Sequence, residues 1–344
     1  MLVTIYSESR KCQWVDRLFQ CQRFDIRPFK RAENRSLSGQ LIWPIHAGEC
    51  HIARRSHRFH HLDDVSQWPP VVGDHHRPGF NTTKIIDPFF QVAEGHPHQL
   101  INIECARSVA KAIKNHCDKM GCDFAVTLGD NIYNNGVRSV NDSLFQSHFE
   151  KPYAPLDFPF YMVLGNHDYR GNVQAQIDYT QKSEKWVMPK RYYHFVRGPV
   201  TFLALDTNTP ADRAQQAYVN TVKKEHTTPW LISFGHHPRK TYSAYKNALS
   251  PSLKQLVDSL CGASQIYLSG HEHDQQHLRS HCGTDYLVAG TGAGQRKNGK
   301  GPDTLYSGNE LGFAWFEVTD KTLYFALISS SGKKLYDAKR VLKK

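Results

Sequence analysis

From residue 106 onward, short apolar runs alternate with amphipathic stretches. ARSVAKAIKNHCDKM (106–120) sets Val109, Ile113, Cys117 and Met120 on one face of a helix, and Gly121 follows as its stop. DFAVTL (123–128) then reads as a buried strand. The same grammar recurs at FYMVL (160–164), TFLAL (201–205), WLISF (230–234), QIYLS (265–269) and YLVAG (286–290), and FAWFEV (313–318) with TLYFALI (322–328) predicts a closing hairpin. SPSLKQLVDSL (250–260) carries a second helical pattern. Strands alternating with helices predict an α/β layered architecture, and the closing hairpin predicts mixed rather than purely parallel sheets. No internal repeat or low-complexity tract interrupts the pattern.

Residues 1–69 show neither an amphipathic helix nor an alternating strand, so the chain divides into an N-terminal extension (1–69) and one domain (70–344). Basic usage shifts with this change: residues 1–105 hold ten Arg and three Lys, residues 106–344 ten Arg and twenty Lys. Two readings fit the shift, a basic extension or a start that is not native to the protein. The first thirty residues contain no continuous apolar run, so no export signal is expected, and localisation stays open. No run approaches the roughly 18 apolar residues of a spanning helix, so no membrane insertion is expected.

With 40% apolar and 22% charged residues over 344, the composition is that of a globular protein and excludes wholesale disorder. A formal charge of +11 serves solubility or draws anionic substrates. No basic–aromatic recognition motif accompanies it, so no nucleic-acid partner is expected, and the protein is expected to be a monomer. Of the eight Cys, Cys117 with Cys122 and Cys261 with Cys282 suit disulfides of an exported protein, and buried thiols suit them as well. None has zinc-knuckle spacing.

The chemistry gathers where four strands end. LGDNIY (128–133), LGNHDY (164–169), FGHHP (234–238) and SGHEHD (269–274) each stop an apolar run at Gly and follow it with metal-binding side chains. Taken singly, Gly-Asp-Asn is a common turn and Gly-Asn-His-Asp a helix cap. Together, each after a strand, they point to one site, because ligands in α/β proteins collect at the carboxyl ends of strands. Asp130 can share its carboxylate between two cations, offsetting their repulsion. Tyr133 can add a phenolate, a hard anion suited to Fe(III). Asn166 offers an amide oxygen, and His236, His271 and His273 offer imidazoles. In a turn, the His-x-His pair can splay to two adjacent ions.

With these motifs, and with FLALDTN (202–208), AGTGAG (289–294) and LGFAWFEV (311–318), the chain resembles the calcineurin-type metallophosphoesterase superfamily. Within it, the Tyr of GDNIY resembles the purple acid phosphatases related to tartrate-resistant acid phosphatase. The resemblance covers about seven-tenths of the chain. It implies a β-sandwich of two mixed sheets flanked by helices, and an enzyme that hydrolyses small phosphate monoesters at acid pH. It implies that Asp130 bridges Fe(III) and a divalent Fe, Zn or Mn ion. Tyr133 and His273 would hold the ferric ion, and Asn166, His236 and His271 the divalent one. A metal-held hydroxide would be the nucleophile, His167 the catalytic proton donor, and Asp168 an orienting neighbour.

Two positions depart from the pattern. The family's upstream Gly-Asp-x-Gly, whose Asp is a ferric ligand, is matched only by VVGDHH (71–76). That segment offers Asp74 as a metal ligand, with His76 in place of Gly, and lies further from Asp130 than the family spacing. The family His nine residues after the His236 position is here Tyr245, followed by Lys246. Either Tyr245 donates a hydrogen bond to phosphate or both are ordinary loop residues. Competing functions are a phosphodiesterase or nucleotide hydrolase on the same scaffold, and a metal-deficient, non-catalytic homologue.

Overall fold

The computed structural model describes residues 2–7, 103–247, 249–279 and 282–342. In chain order these form β1 (Leu2–Ser7), α1 (Ile103–Met120), β2 (Phe124–Thr127), β3 (Phe160–Tyr161), α2 (Val173–Asp178), β4 (Trp186–Val187), β5 (Tyr193–Arg197), β6 (Val200–Ala204) and α3 (Arg213–Glu225). There follow β7 (Trp230–Phe234), α4 (Pro251–Asp258), β8 (Ile266–Ser269), β9 (Gln275–Leu278), β10 (Asp285–Ala289), β11 (Thr304–Gly308), β12 (Gly312–Val318), β13 (Thr322–Ser329) and β14 (Lys334–Val341).

The strands build two seven-stranded sheets, ordered β14-β13-β12-β1-β2-β3-β4 and β11-β9-β10-β8-β7-β6-β5. Both are mixed, as predicted. β2, β3 and β4 run parallel in the first sheet, as do β6, β7, β8 and β10 in the second. The expected closing hairpin is the antiparallel β12–β13 pair.

The core lies between the sheets. Phe124 of the first sheet meets Phe195 and Phe202 of the second edge-on, at 5.7 and 5.2 Å between ring centroids. Tyr161 stacks on Phe195 at 3.7 Å, and Trp230 donates its indole N–H to the Thr319 carbonyl across the sheets. Helices cover the outer faces. Val219 and Val222 of α3 and Leu253, Leu256 and Val257 of α4 pack with Leu203, Leu231 and Tyr267. On α1, Val109 and Ile113 are fully buried, as the helical face predicts, whereas Met120 at the last turn is 49% exposed. Gly121, at φ 84°, ends that helix by donating to the Cys117 carbonyl.

Several elements escaped the apolar pattern for physical reasons. Helix α3 begins on the Asp212 cap and buries Gln215, whose amide exchanges hydrogen bonds with the Asp206 backbone, so its inward face is partly polar. β9 is all buried yet reads Gln-Gln-His-Leu, its polar side chains hydrogen-bonding to partners remote in sequence. β14 is an edge strand with a largely exposed face. Residues 1–69 were expected to hold no strand, but Leu2–Ser7 pairs with β12 in parallel and with β2 antiparallel. A six-residue strand rich in β-branched residues is too short to show a period. The expected boundary at 69/70, Asp74 and His76 lie outside the described residues.

The open question about cysteine resolves as disulfides. Cys117–Cys122 ties the end of α1 to the approach of β2, with Cα atoms 5.2 Å apart, and Cys261–Cys282 bridges at 5.3 Å. No helix among the described residues is long and apolar enough to cross a membrane.

Candidate metal centre

The loops after β2, β3, β7 and β8 meet at one place. Asp130 and His271 sit in left-handed backbone, at φ 51° and 66°, the non-glycine residues among those described that do so. Such conformations are uncommon outside Gly and concentrate at functional turns. Gly165 is required here because an added Cβ would lie 2.1 Å from Asp130 Oδ1 and 2.2 Å from its backbone nitrogen. Gly290 allows the AGTGAG segment to reach the His271–His273 turn, since a Cβ there would fall on the Glu272 carbonyl.

Six of the predicted ligands converge. His236 Nε2 lies 3.1 Å from Asn166 Oδ1, 3.1 Å from His271 Nδ1 and 3.3 Å from Asp130 Oδ2. Its other nitrogen contacts the Leu128 carbonyl at 2.7 Å, which fixes the ring with Nε2 toward the cluster. At the same carboxylate oxygen, the Tyr133 hydroxyl donates to Asp130 Oδ2 at 2.8 Å and stands 3.2 Å from His273 Nε2. Asp130 Oδ1 accepts the His167 backbone N–H at 2.9 Å. Atoms about 3.1–3.3 Å apart are spaced as adjacent ligands of an ion with bonds of roughly 2.1 Å. The donor set, one shared carboxylate with phenol, amide oxygen and three imidazoles, suits a pair of transition-metal ions.

The electrostatics agree with that use. Burial works to raise the Asp130 carboxyl, but His236 beside it holds it well below the usual carboxylate range. Burial disfavours charge on His236, and the Asp130 carboxylate outweighs it and raises that pKa. His271 is pushed far down by burial and by His236 and His237, and His273 falls to about 3 through burial and Arg296. Both therefore keep a neutral ring with a lone pair to offer. Burial and Asp130 raise Tyr133 well above the ordinary phenol value, so only a cation would draw its proton off.

The His167 ring lies tilted against Tyr133 at 4.2 Å between centroids, and its Nδ1 meets the Asn134 carbonyl at 2.7 Å. Burial lowers its pKa, against the pull of Asp130 and Asn134. Asp168 is fully buried and orients the loops, as expected. Its carboxylate accepts the backbone N–H groups of Asn131, Ile132 and Gly165 and the Asn131 side-chain amide, at 2.8–3.1 Å. Burial, helped by Asp130, pushes its pKa up to about 7.

Some residues of the site went unrecognised in the sequence. His237 joins His236 and His271 in a group whose nitrogen atoms all lie within 4.8 Å. The Thr207 hydroxyl accepts the N–H groups of both His236 and His237, which leaves its own proton for His237 Nδ1 at 2.9 Å. His237 thus carries its proton on Nε2 and is a donor rather than a ligand through Nδ1. The doubled His in FGHHP was its only sequence signal. In SGHEHD the side chains alternate. His271 and His273 face the cluster, while Glu272 accepts from Thr241 and the Tyr245 N–H, and Asp274 accepts from Ser243 and Gln276. Glu272 and Asp274 thereby hold the 241–245 loop so that Tyr245 stacks on His271 at 4.2 Å. Another buried carboxylate, Asp206, binds Tyr169 and Arg191 and steadies the loop that presents Asn166.

Comparison with known proteins identifies the family. The profile of the calcineurin-like phosphoesterase family matches residues 71–275, more than half of the chain. The chain belongs to that family. The phosphoesterase is 30% identical to human tartrate-resistant acid phosphatase type 5 over 267 residues, covering 66% of this chain and 82% of the relative. It is 31% identical to purple acid phosphatase 7 of Arabidopsis thaliana over 259 residues, covering 64% of this chain and 76% of that one. Among solved structures, the phosphoesterase fold superposes on GAP50, described as the anchor in the inner membrane complex of Plasmodium, with a TM-score of 0.60 at 20% identity. That likeness covers 70% of this chain and 85% of the other. A purple acid phosphatase from yellow lupin seeds (Lupinus luteus) gives 0.54 at 16% identity, covering 69% and 49%.

Proposed function

We propose that this phosphoesterase is an acid phosphatase that hydrolyses phosphate monoesters at a dinuclear centre of Fe(III) and a divalent Fe, Zn or Mn ion. The observation that carries the reading is the pair of donor groups that meet at one carboxylate oxygen, Asp130 Oδ2: Asn166, His236 and His271 in one group, Tyr133 and His273 in the other. The first group would hold the divalent ion and the second the ferric ion. Asp74 is proposed as the remaining ferric ligand. The family match begins at residue 71, just ahead of it. A cleft among the described residues, lined by Asp130, Tyr133, His273, Ile103 and Ala106, lies beside these donors.

When bound, the cations draw charge from phosphorus and acidify water at the site. The chain's own residues do the rest. Asp130 keeps the two donor groups in register. His167, with Nδ1 engaged by Asn134, has Nε2 as the atom that hands a proton to the departing alkoxide. The test is release of phosphate from para-nitrophenyl phosphate at mildly acid pH by protein of known metal content. We expect H167A to lose about 10²–10⁴-fold in kcat with its metals retained. Fully metal-loaded protein that releases no phosphate refutes the proposal. Preference for a diester would make it a phosphodiesterase, and a colourless, metal-poor protein a non-catalytic homologue.

A further inference from the structure

A single 3₁₀ turn, Asp168–Arg170, follows His167 and brings a cation to the side of that ring. Arg170 Nη1 stands 3.2 Å from His167 Nδ1 and donates to the Asn134 carbonyl at 3.3 Å. His167 Nδ1 meets the same carbonyl at 2.7 Å, so imidazole and guanidinium share one acceptor. Close approach of two segments fixes this placement. A Cβ on Gly171 would lie 2.5 Å from the Val137 carbonyl oxygen, and one on Gly136 2.6 Å from that of Asp168. Arg170 is exposed, and among the described residues no carboxylate pairs with it, whereas Arg191, Arg239 and Arg340 each pair with an Asp. The exposed residues of the facing segment, Asn134, Asn135 and Arg138, bring no negative charge. Among the described residues the guanidinium is engaged through Nη1 alone, which leaves Nε and Nη2 as donors.

We infer that Arg170 is a specificity-determining residue that binds a second anionic group, a carboxylate or phosphate carried by the departing group of the substrate. The inference rests on the acid-phosphatase reading, in which His167 Nε2 faces the departing oxygen. Nδ1 and Nε2 belong to one five-membered ring. The guanidinium beside Nδ1 therefore stands a ring's breadth from the atom that gives the proton, within reach of an anion a few bonds beyond the departing oxygen. Nε and Nη2 form one edge of the planar fork, the edge that takes two oxygens of a carboxylate or phosphate side by side, and the group stays charged at every relevant pH. An exposed pair of this kind gains modestly and is screened by salt, so Arg170 confers a preference among substrates rather than a requirement.

The experiment measures kcat/KM of wild type, R170A, R170Q and R170K, at measured metal content, on phenyl phosphate, para-carboxyphenyl phosphate and ADP. The readout is the ratio of each charged-leaving-group substrate to phenyl phosphate, which cancels losses common to all three. We expect R170A and R170Q to lower the ratio at least about fivefold for the carboxylate, for the phosphate or for both, chiefly through KM. R170K should recover part of the loss, since it restores charge without the fork. Added salt should erode the wild-type ratio and leave that of R170A nearly unchanged. Unchanged ratios in R170A and R170Q, or falls confined to kcat without salt dependence, overturn the inference. Metal loss in both variants also overturns it, because the residue is then structural. Metal-loaded wild type that hydrolyses none of the three refutes the phosphatase reading, and calorimetry with para-carboxyphenyl phosphate and ADP then decides the inference separately. Binding at least about fivefold weaker in R170A keeps the anion subsite, and equal binding removes it as well.

Discussion

Replacing Asp168 isolates the scaffold of the site from its chemistry. The carboxylate touches none of the candidate metal donors directly, yet it joins the loop carrying Asp130 and Tyr133 to the loop carrying Asn166 and His167. It does so by accepting three backbone N–H groups and one side-chain amide while fully buried. D168A strands all of these donors. A buried backbone donor without a partner costs about 1–3 kcal/mol, so three cost about 3 kcal/mol at the low end. That is a large fraction of the roughly 5–15 kcal/mol that holds a domain together. D168N keeps one acceptor oxygen but turns an NH₂ group toward N–H donors, and should lose about 1–3 kcal/mol. Urea denaturation measures both. With a slope of about 1–3 kcal/mol per molar, D168A should lower the midpoint by roughly 1 M or more at unchanged slope. Metal content after purification should fall with it, because Asp130 and Asn166 lose their common anchor. A D168A midpoint within about 0.2 M of wild type, with metals fully retained, would refute the view that this carboxylate organises the site.

Other perturbations test other parts of the fold. The C261S/C282S pair opens a loop of 21 residues and should cost about 3 kcal/mol, whereas C117S/C122S, with a separation of 5, should cost about 2 kcal/mol; thermal melts showing the reverse order would contradict the loop-closure account. His116, half-buried against Phe313 and Trp315, has its pKa lowered from 6.5 by burial and then by Lys119. Because the folded pKa lies below the unfolded one, this residue's contribution is intact above 6.5 and is lost as pH falls from there toward the folded value. H116L should therefore gain stability relative to wild type as pH falls from neutral to acid, and parallel stability profiles for the two proteins would count against it. Prolonged chelation should strip metals and abolish phosphate release, with activity returning when iron and zinc are restored; activity undiminished in metal-free protein would exclude the proposed centre.

The chain by itself determined which side chains could form the site. Asp130, Tyr133, Asn166, His236, His271 and His273 each follow an apolar strand that stops at or near Gly, and strand ends are legible because burial ends abruptly there. The layered α/β class and the closing hairpin were legible for the same reason. Only the tertiary structure decided which atoms meet. Tyr133 and His273 approach across 140 positions, and His236 is aimed by a carbonyl 108 positions away. The orienting contacts of Asp168, the Glu272 clamp on Tyr245 and the placement of Arg170 against Asn134 are likewise long-range. β9, α3 and the partners of β1 were hidden too. Apolar burial repeats with the period of a helix or strand and leaves a trace in the sequence. A buried hydrogen bond is set by the one partner that satisfies it, and that partner is brought near only by the fold.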